Sequence, residues 1–123
     1  MDWTFTADRP VYQQIMEAVC GSVLKGELKP GQRVPSVREL AAAAKVNPNT
    51  MQRALTELER EGLLVGGGTS GRTVTTDEAI LAAMRKDALE EVARQCAAKF
   101  KVFGVTPAQA AQLLLALDEE KEE

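Results

Sequence analysis

Residues 36–62 read SVRELAAAAKVNPNTMQRALTELEREG, and their spacing predicts two short helices joined by a tight turn. Ser36 and Glu39 form a capping box: the hydroxyl accepts from the Glu39 amide while the carboxylate reaches back to the Ser36 amide. Leu40 and Ala41 through Ala44 are strong helix formers, and their small side chains let a second helix cross closely. Pro48 keeps Asn47 out of helical geometry, which makes Asn47 an N-cap and Pro48 a first helical residue. From there Met51, Ala54, Leu55 and Leu58 recur at helical spacing and predict one buried face. Gly62 can take the left-handed conformation that ends a helix. A helix, a turn and an amphipathic second helix describe a helix-turn-helix.

The second helix carries the chemical clue. Its start offers Asn47, Asn49 and Thr50, then Gln52 and Arg53. Amides, hydroxyls and a guanidinium are the groups that pair with base edges and phosphates in a major groove. Its acids, Glu57, Glu59 and Glu61, are confined to the far end, which suits a helix entering a groove by the positive end of its dipole. The alternative is a solvated helix start with ordinary capping residues, and the flanking sequence decides between the two.

Downstream, Leu63, Leu64 and Val65 are apolar and β-compatible. Gly66-Gly67-Gly68-Thr69-Ser70-Gly71 follows, and then Arg72-Thr73-Val74-Thr75. Two strands around a glycine-rich loop predict a β-hairpin, and a hairpin beside a helix-turn-helix is a wing. Gly71 permits close backbone approach, while Thr69 or Arg72 can touch phosphate or the minor groove. Upstream, Pro10 opens a helix over residues 11–25. Val11, Ile15, Val19 and Val23 repeat every four residues beside the row Tyr12, Met16, Cys20 and Leu24, giving a wide apolar face. Gly26 ends it, residues 29–32 form a turn, and Arg33-Val34 is a short extended piece able to pair at a sheet edge. Trp3 and Phe5 alternate with polar residues in an extended arm. They are expected in the core of their own domain, with a partner chain as the alternative.

Residues 77–101 predict a long helix with Ile80, Leu81, Met84, Ala88, Val92, Cys96 and Phe100 along one seam. Thr106 and Gln109 make a second capping box with Pro107 at the first helical position, and the helix it opens carries Leu113, Leu114, Leu115 and Leu117. Two helices of this size cannot enclose a core of their own. A second copy of the chain is expected to cover them, the contact running through the seam together with Leu114 and Leu117.

The 123 residues suffice for one domain, or a small domain with an extension. The net charge is −3, which at first argues against nucleic acid. The charge is unevenly spread: residues 1–76 hold nine Lys/Arg against eight Asp/Glu, and residues 77–123 hold six against ten. Nucleic-acid binding would therefore rest on a local patch, with marked salt sensitivity. No long apolar run and no leader occurs, so a soluble cytoplasmic protein without a membrane association is expected. With two cysteines and no histidine, a four-ligand zinc site from those side chains is excluded, and the commonest general base is missing. No phosphate-cradling glycine loop of the P-loop type is present. Neither a metal nor a cofactor is expected, and no enzyme: no nucleophile–base pair can be named. Both cysteines are expected as buried, reduced thiols.

The run P-V-Y-Q-Q-I, then K-P-G-Q-R-V-P-S-V-R-E-L-A, V-N-P-N-T-M-Q-R-A-L and the glycine wing resembles the GntR family of bacterial winged-helix regulators over residues 10–75. The short two-helix C-terminal part resembles its YtrA-like subfamily. The resemblance implies a homodimeric transcription factor, usually a repressor, on an operator of duplex DNA with two-fold symmetry. It places Arg38, in the P-S-x-R-E-L motif, against DNA, and the wing-tip glycine at Gly71. The expected DNA-facing set is then Ser36, Arg38, Asn47, Asn49, Thr50, Arg53, Thr69, Gly71 and Arg72. It also implies that the C-terminal helices hold no ligand cavity. A small-molecule effector, if one exists, would act at the dimer interface or near residues 75–78. The expected architecture is mostly α with a small β-hairpin: a winged helix-turn-helix domain over residues 1–76 and a two-helix dimerisation region over 77–123. The competing function is a winged-helix module that binds protein or RNA, which the acidic tail and near-neutral N-terminal charge favour.

Overall fold

The computed structural model describes residues 1–66 and 71–120. In chain order its elements are α1 (Val11–Leu24), α2 (Val37–Ala44), α3 (Pro48–Arg60), β1 (Leu64–Gly66), β2 (Arg72–Val74), α4 (Glu78–Lys101) and α5 (Pro107–Glu120). They fall into two compact units, Met1–Met84 and Arg85–Glu123.

The first unit is a winged helix. The capping box forms as its residues require: the Glu39 amide donates to Ser36 Oγ at 3.1 Å and the Ser36 amide donates to Glu39 Oε1 at 3.3 Å. Asn47 caps α3 by accepting from the Asn49 amide at 2.8 Å, with Pro48 in the first turn. Each such cap is worth about 1 kcal/mol. The core is built where the periodicity points. Ile15 and Val19 of α1, Leu40, Ala41 and Ala44 of α2, and Met51, Ala54, Leu55 and Leu58 of α3 are buried together with Leu63, Leu64 and Val74. Trp3 and Phe5 of the N-terminal arm are half-buried against this same core, within their own chain. Gln14, itself buried, ties the arm down: its amide nitrogen donates to the Thr6 and Arg9 carbonyls, and its oxygen accepts from the Thr6 amide at 2.8 Å.

β1 and β2 pair antiparallel, Leu64 opposite Val74, Val65 opposite Thr73 and Gly66 opposite Arg72. The extended piece before α2 joins on the far side of β2. Gly31 N–H donates to Val74 O, Val74 N–H to Gln32 O and Val34 N–H to Arg72 O, with Arg33 bridged to Thr73. The glycine loop's Gly67, Gly68, Thr69 and Ser70 lie outside the described residues.

Gly62 sits at φ +89°, and a Cβ there would stand 3.0 Å from Cδ1 of Ile80. Both the left-handed backbone and the close neighbour oppose a side chain. Gly62→Ala is expected to lose about 1–2 kcal/mol of stability in urea titration, more than an ordinary helix-end substitution.

Asp77 opens α4, its carboxylate accepting from the Ala79 and Ile80 amides. Leu81 and Met84 are half-buried against the core of the first unit. Three seam positions, Ile80, Leu81 and Met84, thus have neighbours inside their own unit. In the second unit Thr106 and Gln109 form their capping box, with bonds of 2.9 and 3.2 Å. Gly104, at φ +73°, closes the end of α4. Here Ala110 is the buried apolar residue, while Ala88, Cys96 and Phe100 are half-buried. Leu89, Val92, Val102, Phe103, Leu113, Leu114, Leu115 and Leu117 are exposed.

Cys20 and Cys96 are free thiols, each half-buried rather than fully enclosed. Burial, with Glu61 and Glu17 nearby, pushes the Cys20 thiol up to about 11. The folded state therefore holds this proton more tightly than the unfolded chain. Stability should be unaffected below about pH 9 and fall as pH rises from there toward 11, by on the order of 2 kcal/mol. Cys20→Ala should flatten that alkaline limb in denaturation measured at stepped pH.

Candidate nucleic-acid interface

α3 presents its first turn to solvent. Asn47, Asn49 and Arg53 are exposed and Thr50 is half-buried, while Met51, Ala54 and Leu55 hold the opposite face in the core. The amphipathic spacing dictates this division: residues that fill the core cannot face outward, so the amide-bearing positions between them do. Asn47 Oδ1 is committed to its cap, which leaves its NH₂ group free to donate. The first turn contains no acid. Farther along, Glu57 is paired with Arg60 at 3.0 Å and Glu59 with Arg72. Two of the three acids at the far end are thus paired locally, and none stands beside the positive end of the helix dipole.

α2 contributes Ser36 and Arg38. The Ser36 oxygen accepts from the backbone within the cap, and its own hydrogen remains available. Arg38 is exposed in the first turn and has no ion-pair partner among the described residues. The turn between the helices adds Lys45, exposed and left-handed at φ 58°, its amide bonded to the Ala41 carbonyl. A non-glycine residue in that conformation carries a backbone penalty of about 1 kcal/mol. The turn signal at residues 46–49 does not by itself mark Lys45, although a cation between the two helices is legible in the sequence.

At the base of the wing the arrangement is more specific than the sequence suggested. Gly71 is left-handed at φ +83°, and a Cβ there would meet the Arg33 guanidinium at 3.4 Å. Arg33 therefore lies against the wing, an exposed cation that its position in an apolar–polar extended piece did not mark as functional. Arg72 is half-buried and its Nε donates to Glu59, so its charge is already engaged by α3. Gly66 stands against the same carboxylate: a Cβ would come within 2.9 Å of Glu59 Oε2. Glu59 thereby ties α3 to β2 through Arg72 and lies close against β1 at Gly66. Thr69, the remaining wing position, lies outside the described residues.

Arg53, exposed on α3, lies over the ring of Tyr12 in α1, 3.7 Å from guanidinium carbon to ring centroid, well inside cation–π range. The spacing of Tyr12 places it in an apolar row and gives no sign of this contact.

This surface can donate hydrogen bonds from amides, a hydroxyl and several cations, all within one compact unit. Among the described residues no group of three or more His, Cys, Asp or Glu could hold a metal ion, and no helix is long and apolar enough to cross a membrane. The family described as bacterial regulatory proteins, gntR family, matches residues 11–74. The chain is 34% identical over 106 residues to the HTH-type transcriptional regulator YhcF of Bacillus subtilis, covering 86% of this chain and 88% of that one. It is 51% identical over 55 residues to the HTH-type transcriptional repressor YtrA of the same organism, covering 45% of this chain and 42% of that one. Among solved structures, a GntR family transcriptional regulator from Listeria monocytogenes superposes with a TM-score of 0.79 at 25% identity, over 94% of this chain and 98% of that one.

Proposed function

The chain belongs to the GntR family of bacterial regulatory proteins, a family of DNA-binding transcriptional regulators rather than enzymes, and on that premise we propose that it is a homodimeric repressor of a two-fold symmetric operator. The observation that carries the reading is the exposed, acid-free first turn of α3. In this reading Asn49, Thr50 and the free amide of Asn47 meet base edges. Arg38 anchors a phosphate or a guanine edge, Ser36 and Arg53 hold the flanking backbone, and Gly71 brings the wing close to it. Arg72 serves at the wing base, through Glu59, more than as a free phosphate contact. Residues 1–76, with the start of α4 packed on their core, form the reading head, and the remainder of residues 77–123 the dimerising part. Repression is supported by the likeness to YtrA, a transcriptional repressor. The protein would act in the cytoplasm, where its operator lies.

The homodimer is supported by what the second unit leaves uncovered. Val92 and Leu117 are 60% and 59% exposed, and Leu114 is 48% exposed. With Ala88, Cys96 and Phe100 they supply an apolar surface that a second copy would bury. Two reading heads related by a dyad need two half-sites, spaced by one helical turn of DNA, about 34 Å, or a multiple of it.

Selection of bound fragments from random duplex DNA tests the reading directly. An inverted repeat should emerge. Enrichment of nothing, or of unpaired half-sites, contradicts it. The near-neutral charge of the N-terminal part keeps one other reading in view, a module for RNA or protein. Competition separates the two: duplex DNA should displace the selected fragment and RNA should not.

A further inference from the structure

The stack of Arg53 on Tyr12 is not the contact that local sequence would select. Glu57 lies four residues beyond Arg53 on α3, the spacing at which a helix pairs opposite charges. Yet Glu57 pairs with Arg60, and Thr56 accepts from Gln52 at 3.3 Å. Arg53 turns to the aromatic ring instead. The choice matters electrostatically. A carboxylate would cancel the guanidinium charge, whereas a ring holds it in place and leaves it whole. A planar guanidinium covered on one face keeps its N–H donors in the rim, free to meet an oxyanion. Tyr12 is itself fixed, half-buried against the core at the start of α1, and Arg53 remains exposed.

We propose that Tyr12 is a positioning residue of the DNA interface: its ring holds Arg53 ready for a phosphate of the duplex backbone, acting from α1 without touching DNA. This rests on the DNA-binding reading above and assigns a task to a side chain outside the helix-turn-helix.

The test uses the full-length protein and a selected duplex, with Kd measured across a range of salt. Arg53→Ala should weaken binding about tenfold and reduce the salt slope by about 0.9, the signature of one lost phosphate contact. Tyr12→Leu should weaken it about fivefold and move the slope the same way. Tyr12→Phe, which keeps the ring, should stay within about twofold of the parent. In the Arg53→Ala background, Tyr12→Leu should add nothing, because its effect passes through a side chain no longer there. A thermal melt of each variant accompanies the binding curves. Should Tyr12→Leu merely loosen the fold, its penalty would recur undiminished in the Arg53→Ala background, and that additivity would overturn the proposal. Equal damage from Tyr12→Phe would overturn it too. Absence of salt-dependent duplex binding by the parent would instead bring down the DNA-binding reading, and this proposal with it.

Discussion

Arg38→Ala should cost roughly 1–3 kcal/mol of operator binding, about five- to 150-fold in affinity, with no change in melting temperature. Arg38 is exposed in the first turn of α2, so the fold does not need its side chain. Its backbone is fixed by the capping box of Ser36 and Glu39, so the guanidinium starts from a defined place. Gel shifts against the selected operator and a scrambled duplex measure the effect. A loss confined to the operator marks a base contact; an equal loss on both marks a phosphate contact. Arg38→Lys sharpens the distinction, since a bidentate pair with guanine fails with lysine while a simple charge contact survives. Unchanged affinity for the operator would remove Arg38 from the interface.

The second large effect is expected in the C-terminal helices. Val92→Asp combined with Leu117→Asp should convert the protein to monomers in light scattering. Operator affinity should fall by about a hundredfold or more as the two half-sites lose their linkage. Both positions are well exposed in the single chain, at 60% and 59%, so carboxylates there need not disturb the monomer's own packing. This separates them from Leu81 and Met84, which pack against the first core and whose replacement would mix folding with association. A double variant that remains dimeric would place the contact on another face.

Local signals were fully legible in the sequence. Ser36 with Glu39, Asn47 with Pro48, and Thr106 with Gln109 act through bonds spanning two or three residues, and each helix start falls where they put it. The apolar core positions of α1 and α3 were legible as well, since burial repeats with the turn of the helix, whereas the burial of the polar Gln14 and Ser22 in α1 was not. Contacts between distant residues were not. Tyr12 and Arg53 meet across the α1–α3 packing, and nothing in an apolar row distinguishes a ring that supports a guanidinium from one that fills a core. Glu59 and Arg72 meet because the hairpin folds back on α3, and Arg72 read alone is simply a wing cation. The long seam of α4 shows the same limit: period fixes which residues share a face, but not which neighbour covers each part of it. Ile80, Leu81 and Met84 share a spacing with Val92 and Phe100, yet only the former lie in the first unit.

The extended piece at Gly31–Val34 has a kinetic consequence. An isolated two-stranded hairpin is marginal in water, but here the inner strand is flanked on both sides, because Val34 donates to Arg72 and Val74 donates to Gln32. The base of the wing and the connector between α1 and α2 then open as one cooperative element. The amides of Val34 and Val74 should share a single slow hydrogen–deuterium exchange rate, close to that of global unfolding. Lengthening the turn at Lys29–Gln32 would speed both together, transmitting a change between the first two helices to a strand some forty residues away.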